Sequence, residues 1–332
     1  MTNWVRAHTN IALIKYWGKA NDDLILPKNN SLSLTLDAFY TDTKVTFDQC
    51  LETDLLYLNG QQQNLAALDK VKKVLDAVRD KAGIQTRARV DSINYVPTAA
   101  GLASSASGLA ALAGAASQAA GLDMPFEELS KLARIGSGSA SRSIYGGFAE
   151  WLKGVDHDTS YAVPVDKADW DIGMLFIIVN DAKKEVSSRD GMKRTVDTSP
   201  FYEGWLQSLD GDLSAMKQAL KDQDLKRVGQ IAERNALKMH ATTLGAQPPF
   251  TYWTAESMTA MEAVRSLRRQ GYTAYFTMDA GPNVKIICRQ SQLAELKDLL
   301  SEQFAESQLI EARPGPGIRT LDPSEALQEK GD

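Results

Sequence analysis

The segment Pro97-Thr-Ala-Ala-Gly-Leu-Ala-Ser-Ser-Ala-Ser-Gly108 runs directly into Leu109-Ala-Ala-Leu-Ala-Gly-Ala-Ala-Ser117, and the fold is inferred from this stretch first. It follows a strand-like segment at residues 87–96. Leucine and alanine then recur at helical spacing to about residue 120, which predicts a helix with one buried face. One glycine and three serines crowd the turn where this helix begins. The pattern predicts a loop that brings backbone N–H groups close to a ligand.

A phosphate group is the ligand that best fits this turn, which contains Gly101, Ser104, Ser105 and Ser107. The first turn of a helix has unpaired N–H groups and lies at the positive end of the helix dipole. Anions therefore bind readily at such a position.

Two other interpretations of the segment are weaker. No charged side chain occurs between Ser92 and Leu122, so the segment is long enough to span a membrane. It is, however, rich in Ser, Gly and Ala and poor in the large apolar residues that favour insertion. The second interpretation is a buried helix capped by a serine, but a cap accounts for one serine and not for three. The sequence therefore favours phosphate binding.

The composition is that of an ordinary globular protein, with 332 residues of which 43% are hydrophobic and 24% charged. The net charge of −5 argues against general affinity for nucleic acid, and the N-terminus lacks the apolar core of a signal peptide. Cys50 and Cys288 show neither metal-ligand spacing nor a disulfide framework, which fits a cytoplasmic location. Three histidines without an HExxH motif argue against a catalytic zinc site.

The order of the predicted elements indicates an α+β fold. Strand-like and helix-like segments are clustered and do not alternate regularly. The character of the chain changes near Asn180, after which helical patterns dominate. We therefore expect two lobes. Residues 1–185 form the N-terminal lobe with the phosphate loop, and residues 186–332 form a C-terminal α+β lobe.

Shorter patterns predict individual elements. Strict alternation at residues 31–36 predicts a half-buried strand, and the dipeptide Asn59-Gly60 predicts a hairpin turn. Residues 272–278 and 283–288 are expected to form a second hairpin with Asp279 at its tip. Residues 313–332 begin with Pro and Gly and are expected to be irregular.

The usual nucleotide-binding signatures, GxxxxGK[ST] and GxGxxG, are absent from the sequence. Five other segments form a more specific set when they are taken in order with the phosphate loop. They are Asn10-Ile-Ala-Leu-Ile-Lys-Tyr-Trp-Gly-Lys19, Asn30-Ser-Leu-Ser-Leu34, Gly138-Ser-Ala-Ser-Arg-Ser-Ile-Tyr-Gly-Gly147, Val186-Ser-Ser188 with Gly191-Met192, and Met278-Asp-Ala-Gly-Pro-Asn283.

This ordered set resembles the galactokinase, homoserine kinase and mevalonate kinase superfamily, and within it the diphosphomevalonate decarboxylases. The resemblance covers most of the chain, from Asn10 to about Asn283. Ala103 stands where the kinases usually carry glycine, and the segment from Asp279 to Pro282 replaces their glycine-rich third motif. Both differences are typical of the decarboxylase branch.

The resemblance implies a two-lobed superfamily fold, with an S5-like α/β N-terminal lobe and a helix-rich, ferredoxin-like C-terminal lobe. It implies ATP-dependent decarboxylation of mevalonate 5-diphosphate in the mevalonate route of isoprenoid biosynthesis, through phosphorylation of the tertiary 3-hydroxyl. The implied products are isopentenyl diphosphate, CO2, ADP and phosphate. ATP and Mg²⁺ are the implied cofactors, and a homodimer is the assembly expected from the family.

The family motifs, matched residue by residue, imply the site residues. The expected catalytic residues are Asp279 and Arg142. The implied substrate-binding residues are Asn10, Tyr16, Trp17, Gly18, Lys19, Lys70, Ser137, Gly138, Ser139, Ala140, Ser141, Arg142, Ser188 and Arg189. The implied ATP-binding residues are Pro97, Ala100, Gly101, Leu102, Ala103, Ser104, Ser105, Ser107 and Lys184. The metal ligands stay unassigned, with Ser105 as a candidate.

Several of these residues have a structural alternative. Trp17 is equally suited to core packing, and Lys70 to a solvated helix surface. Ser137 and Ser139 are flanked by glycine, as ordinary turn residues often are. Aspartate is common at the first position of a turn, so Asp279 has the alternative role of a turn residue.

The two expected catalytic residues have distinct roles. A guanidinium forms two parallel hydrogen bonds with a carboxylate, so Arg142 is expected to orient the substrate carboxylate; the alternative is an ion pair with a structural acid. Asp279 is expected to face the 3-hydroxyl. There it accepts the hydroxyl proton late, or favours the carbocation-like state through its charge.

Two rival functions remain open at this point. A small-molecule kinase of the same superfamily, such as a mevalonate or phosphomevalonate kinase, stops after phosphoryl transfer and releases no CO2. A nucleotide-sensing protein without catalysis is the second rival. It needs neither Asp279 nor Arg142 in its motif.

Overall fold

The computed structural model describes residues 3–95, 104–179, 185–322 and 325. In chain order the elements are β1 (Val5–Ile14), β2 (Lys19–Asn21), β3 (Leu26–Pro27), β4 (Ser31–Asp48), β5 (Leu55–Leu58), β6 (Gln61–Gln62), α1 (Leu65–Ala82), β7 (Arg87–Tyr95), α2 (Ser104–Ala119), α3 (Phe126–Gly136), β8 (Phe148–Trp151), β9 (Ala162–Asp166), β10 (Gly173–Ile177), α4 (Ser188–Thr198), α5 (Tyr202–Gln207), α6 (Leu209–Lys221), α7 (Leu225–Leu244), α8 (Ala255–Arg269), β11 (Tyr275–Thr277), β12 (Val284–Cys288), α9 (Leu293–Leu300), β13 (Leu309–Ala312) and β14 (Arg319–Thr320). A 3-10 helix, Gly138–Ile144, lies between α3 and β8. The predicted α+β class is confirmed.

The larger sheet has eight strands, in the order β14-β1-β4-β7-β5-β6, with β8 and β9 attached to β4. Strand β4 organises this sheet because it is 18 residues long. It pairs with β8 through residues 31–34 and with β7 through residues 40–48. The β5–β7 pair is parallel, and the other pairs of the sheet are antiparallel.

Helices α1, α2 and α3 cover one face of the larger sheet. Helix α1 begins where the Asn64 side chain accepts a hydrogen bond from the Ala67 amide, and it ends at Gly83, whose backbone is left-handed. The three helices and the sheet share one apolar cluster. Among its fully buried residues are Val45, Val74, Leu75, Val78, Val90, Leu112 and Ala116.

The smaller sheet has four antiparallel strands in the order β11-β12-β10-β13. Helices α8 and α9 pack against it through a second apolar cluster. Its β11–β12 connection contains Asp279, so the hairpin predicted there is confirmed. The Asn59-Gly60 turn is confirmed as well, since Tyr57 pairs with Gln62 and Leu58 with Gln61 across it.

A third apolar cluster joins the two sheets. It contains residues of β1 and β4, residues of β10, and residues of α5, α6 and α7. Within this cluster the Phe39 and Phe176 rings meet edge to face, with centroids 4.9 Å apart. Burial of this shared surface fixes the sheets relative to one another, so loops from both are held in register.

Residues 31–36 are fully buried, so the prediction of a half-buried strand was wrong. Leu32, Leu34 and Leu36 face the shared apolar cluster. The alternate positions face the 3-10 helix, where the hydroxyls of Ser31 and Ser33 accept hydrogen bonds from Arg142. The polar residues of this strand are buried because they bind the charged side chain of Arg142. The alternating pattern alone does not reveal that contact.

The C-terminal segment contains a short strand. Strand β14 pairs with β1, with Thr320 opposite Val5, so the prediction of an irregular tail was wrong for these residues. The predicted lobe boundary at residues 185–186 stays a prediction. Strand β10 precedes this boundary in sequence but pairs with β12 and β13, which follow it. None of the helices in the described part of the chain combines the length and apolarity that crossing a bilayer requires.

Candidate active site

A cavity of about 670 Å³ lies where loops from the two sheets meet. The segment after β1, the 3-10 helix, the start of α4 and the β11–β12 connection line it. The sequence-predicted site residues that it brings together are Asn10, Tyr16, Trp17, Lys19, Lys70, Ser105, Ser137, Gly138, Ser139, Arg142, Ser188, Arg189 and Asp279.

Asp279 is held by an ammonium group on each of its carboxylate oxygens. Lys15 Nζ donates to Asp279 Oδ1 at 2.8 Å, and Lys285 Nζ lies 3.3 Å from Oδ2. Both lysines are almost fully buried, whereas 39% of the Asp279 side-chain surface remains exposed. The carboxylate is therefore fixed from behind and accessible from the cavity.

The charge of Asp279 is strongly favoured by these neighbours. Burial opposes ionisation, but the ammonium groups of Lys15 and Lys285 outweigh it and hold the pKa of the carboxyl below its usual value. Burial also lowers the pKa of Lys15, which Asp279 partly offsets. A carboxyl with a lowered pKa is ionised at neutral pH and is a weak proton acceptor. Asp279 is thus better suited to an electrostatic role than to that of a strong base.

Arg142 is a buried cation whose hydrogen-bond partners among the described residues are neutral. Its Nε donates to Ser33 Oγ at 2.9 Å and to Asn10 Oδ1 at 3.3 Å, and its Nη1 donates to Ser31 Oγ at 2.5 Å. Burial lowers the pKa of Arg142 to about 10, so the guanidinium is still charged at neutral pH. The alternative role for Arg142, an ion pair with a structural acid, is not observed among the described residues. The remaining N–H groups are available to an anion in the cavity.

A second group of cations lines the cavity. The pKa of Lys70 is lowered by partial burial and by the charges of Arg189 and Lys19, so the three cations lie near one another. Within the described part of the chain, Lys19 is the one cation of the three with an acid at contact distance, its Nζ lying 2.7 Å from Asp22 Oδ1. Such a concentration of positive charge attracts a multiply charged anion.

Two helix N-termini also face the cavity. Ser105 lies in the first turn of α2, which contains no acidic residue. Helix α4 begins at Ser188, and the Ser187 hydroxyl caps it by accepting a hydrogen bond from the Asp190 amide. Each end adds partial positive charge and N–H donors to the cavity.

Comparison with known proteins identifies the family. One family model, described as the diphosphomevalonate decarboxylase-like N-terminal domain, matches residues 7–162, and a second, the mevalonate 5-diphosphate decarboxylase C-terminal domain, matches residues 174–330. A diphosphomevalonate decarboxylase from Candida albicans is 35% identical, and the match covers 90% of this chain and 88% of that protein. The chain belongs to the diphosphomevalonate decarboxylase family.

Solved structures of the diphosphomevalonate decarboxylase family share the fold. The mevalonate diphosphate decarboxylase from Staphylococcus aureus is 51% identical with a TM-score of 0.93, over 96% of this chain and 98% of that one. A structure of the Enterococcus faecalis enzyme is 56% identical with a TM-score of 0.91, over the same 96% and 98%. A further complex, described as MDDEF with MVAPP, AMPPCP and magnesium, is 56% identical with a TM-score of 0.92 over 96% and 98%. The predicted family, the enzyme class and the two-lobed fold are confirmed.

Four residues that the decarboxylase motifs implied do not line the cavity. Ser107 is buried, with its hydroxyl oxygen 2.8 Å from that of Thr41. Ala140 packs in the apolar cluster under α1–α3, and the Ser141 hydroxyl donates to the Gly138 carbonyl. Gly18 is the fourth. These residues shape the segments that carry the lining side chains, and their binding roles stay predictions.

Trp17 lines the cavity but is almost entirely a core residue. It is 1% exposed, and its indole N–H donates to Thr195 Oγ1 at 2.7 Å. The packing alternative therefore describes its ring well. The main contribution of Trp17 is to fix the segment that carries Tyr16 and Lys19.

Position 18 requires glycine for two reasons, its backbone conformation and the close approach of a neighbouring side chain. Its φ of +113° disfavours other residues, and a Cβ there meets the Tyr202 hydroxyl oxygen at 2.0 Å. We expect Gly18→Ala to lower the melting temperature by roughly 5 °C or more, because the Tyr202 hydroxyl that bonds the Trp17 carbonyl is displaced. Gly211→Ala is the matched control. That helical position has open space around it, so its melting temperature is expected to stay level or rise. Equal effects of the two changes contradict the packing argument.

Part of the predicted ATP site lies outside the described residues. These positions are Pro97, Ala100, Gly101, Leu102, Ala103 and Lys184. Ser104 begins α2, but its side chain is also outside the description. The roles of all these residues stay predictions.

The sequence interpretation missed Lys15 and Lys285 as site residues. Each is a lysine beside or within an apolar strand, after Ile14 in one case and between Val284 and Ile286 in the other. Lysine is seldom buried without a partner, so a lysine in an apolar run indicates a buried charge with a nearby acid and could have marked these two residues. The partner, Asp279, lies 264 residues from Lys15, and sequence spacing does not reveal that contact.

Proposed function

We propose that this cavity binds mevalonate 5-diphosphate beside ATP and that the chain converts them to isopentenyl diphosphate, CO2, ADP and phosphate. The observation that carries the proposal is the arrangement around Asp279. One ionised, accessible carboxylate lies among three buried cations, Lys15, Lys285 and Arg142. That excess of positive charge suits a substrate carboxylate and a transferred phosphoryl group.

The diphosphate of the substrate is assigned to Lys19, Lys70 and Arg189. Their positive charges lie near one another, and the N-terminus of α4 opens onto the same cavity. The hydroxyls of Ser137 and Ser139 are 3.4 Å apart on the cavity wall and supply further donors. Asn10 holds that segment in place, since its Nδ2 donates to the Ser139 carbonyl at 3.0 Å.

The ATP phosphates are assigned to the N-terminus of α2. The absence of an acid from its first turn and the presence of Ser105 at the cavity fit an anionic ligand. The described residues contain no group of three or more His, Cys, Asp or Glu side chains that could hold a metal ion. Mg²⁺ is usually held by few side chains together with substrate phosphates, and when bound it neutralises their charge. This chain therefore fits a metal that is carried largely by ATP.

The chemistry assigns separate tasks to Asp279 and Arg142. The 3-hydroxyl oxygen attacks the terminal phosphorus of ATP, ADP leaves, and the hydroxyl proton passes late toward Asp279. The C3–O bond then breaks and inorganic phosphate departs with that proton, so the Asp279 carboxylate is ionised again as positive charge develops at C3 and stabilises that charge. Arg142 orients the substrate carboxylate until the adjacent C–C bond breaks, which releases CO2 and forms the double bond.

Ser105→Ala is expected to cut turnover at least about tenfold with little change in melting temperature. The hydroxyl lies in the first turn of α2 at the cavity, where it serves the phosphates and not the fold. Ser117→Ala on the same helix is the matched control, because the Ser117 hydroxyl bonds the Ala113 carbonyl and Met124 Sδ and does not line the cavity. Its turnover is expected to be normal. A destabilised Ser105→Ala protein with normal turnover contradicts the assignment and makes Ser105 a helix cap.

Release of CO2 distinguishes the proposal from a kinase of the same superfamily. Purified protein is incubated with ATP, Mg²⁺ and mevalonate 5-diphosphate, and ADP and CO2 are measured in the same sample. We expect equal amounts of the two products. ADP without CO2 indicates a kinase, and neither product indicates a binding protein.

A cytoplasmic homodimer is proposed for the assembly. Support for the location comes from the two cysteines, of which Cys50 is exposed and Cys288 buried, both as free thiols. Support for the dimer comes from family analogy. Light scattering of the purified chain during gel filtration measures its mass directly.

A further inference from the structure

Lys285 is a buried cation in an otherwise apolar strand. The remaining residues of β12 are Val284, Ile286, Ile287 and Cys288, and every residue of the strand is buried. The Lys285 side chain is 4% exposed and lines the cavity. Its one charged contact among the described residues is Asp279, with Nζ 3.3 Å from Oδ2.

Stability does not explain a lysine at this position. A buried ion pair contributes little net stability, and apolar residues of similar volume often replace one without loss. Strand β12 already pairs on both sides, with β11 and with β10. A cation that costs desolvation and adds little to the fold is better explained by what it does to Asp279.

The backbone around Asp279 is fixed independently of Lys285. The Gly281 amide donates to the Asp279 carbonyl at 2.7 Å, and Ser257 Oγ donates to the Pro282 carbonyl at 2.7 Å. Asn283 Oδ1 accepts from the Val179 amide at 2.9 Å, which ties the connection to the end of β10. These contacts set the position of the Asp279 Cα atom but leave the rotation of the carboxylate open.

The two lysines remove that remaining freedom. Lys15, from the larger sheet, takes Oδ1, and its Nζ also donates to the Ala12 carbonyl at 2.6 Å. The Lys15 amide is in turn held by Asn235 Oδ1 at 2.9 Å. Lys285, from the smaller sheet, takes Oδ2. Two contacts on different oxygens from opposite sides define one carboxylate plane, whereas a single contact allows rotation about it.

We infer that Lys285 is a further positioning residue for the decarboxylation. It holds the second carboxylate oxygen of Asp279, so that the charge of this residue is aimed at the 3-hydroxyl and then at C3. The inference rests on the proposed role of Asp279 and adds a residue outside the motifs that define the family resemblance. Lys285 is assigned to act through Asp279, and not by binding the substrate. Its loss should therefore slow the chemical steps and leave substrate binding intact.

The test uses Lys285→Met, Lys285→Arg and a control, Lys217→Met, in the full chain. Methionine keeps the length of the side chain without its charge, and arginine restores the charge. Lys217 also pairs with a carboxylate that is almost fully buried, that of Glu150, but neither residue lines the cavity. Steady-state constants for ATP and mevalonate 5-diphosphate are measured for each variant, together with its melting temperature.

We expect Lys285→Met to lower kcat about tenfold to a hundredfold while both KM values stay within about threefold. Because the Asp279 side chain is 39% exposed, removing its partner leaves no fully buried charge, and the protein should still fold. Lys285→Arg should recover most of the lost kcat, and Lys217→Met should keep the parent value.

Each contrary result overturns the inference in a distinct way. Unchanged kcat in Lys285→Met removes Lys285 from the mechanism. A raised KM with normal kcat makes it a ligand-binding residue. A loss that arginine does not recover makes its role one of packing. If the parent protein itself releases no CO2 from mevalonate 5-diphosphate, the proposed function has failed, and that failure is visible before any variant is compared.

Discussion

Asp279→Asn is expected to reduce turnover about a thousandfold or more, which corresponds to roughly 4 kcal/mol in the activation barrier. Asparagine keeps the shape of the side chain and removes its charge. The charge matters because Lys15 and Lys285 hold the carboxyl ionised, with its pKa below the usual value, while its exposed surface faces the cavity. Both substrates should still bind, since neither the diphosphate of mevalonate 5-diphosphate nor the phosphates of ATP are assigned to Asp279.

Calorimetric titration with mevalonate 5-diphosphate and single-turnover CO2 release separate binding from chemistry in this variant. Asp171→Asn is the matched control. Asp171 is likewise an ion-paired carboxylate, with Arg289 as its cation and Ser291 as a hydrogen-bond donor, but it does not line the cavity. It should turn over normally. Asp279→Asn turnover within tenfold of the parent makes Asp279 a turn residue and removes it from the mechanism.

Arg142→Lys is expected to lower kcat/KM for mevalonate 5-diphosphate at least about a hundredfold, or roughly 2.7 kcal/mol. The guanidinium is held by the hydroxyls of Ser31 and Ser33 with donors left over for the substrate carboxylate. A lysine has one charged nitrogen, so it cannot bond both hydroxyls and grip a carboxylate with two parallel hydrogen bonds. The affinity for ATP should survive, because that ligand is assigned to the N-terminus of α2.

Arg134→Lys is the matched control for this substitution. Arg134 is also fully buried, and burial lowers its pKa to about 10 as it does for Arg142. Its partners are the carbonyls of His157 and Ser160 and the His157 ring nitrogen Nδ1, and it does not line the cavity. Arg134→Lys should lower the melting temperature without a selective loss of substrate affinity. Near-normal kcat/KM in Arg142→Lys contradicts the bidentate role.

The motifs located the cavity because their residues converge on it from distant parts of the chain. Segments that contain Asn10, Gly138, Ser188 and Asp279 meet there, and the resemblance to the family motifs implied each of them. What the motifs did not reveal are the two ammonium groups beside Asp279. Lys15 reaches it from the larger sheet, 264 residues away in sequence, and Lys285 reaches it from the adjacent strand β12, and neither contact follows from a local pattern.

Burial is the other property that local patterns mispredicted. Residues 31–36 alternate as a half-exposed strand does, yet both faces are covered. The alternate serines serve Arg142, which is itself buried. An alternating pattern shows that the two faces of a strand differ in polarity. It does not show whether the polar face is exposed to solvent or, as here, buried against a charged side chain.

One isotope experiment tests the central claim most directly, that the 3-hydroxyl is phosphorylated before CO2 is lost. Mevalonate 5-diphosphate labelled with ¹⁸O at the 3-hydroxyl is converted by the purified protein with ATP and Mg²⁺, and the released inorganic phosphate is analysed by mass spectrometry. If the 3-hydroxyl oxygen takes the phosphoryl group and the C3–O bond then breaks, each phosphate carries one ¹⁸O atom. Unlabelled phosphate, released with ADP and CO2, contradicts the account.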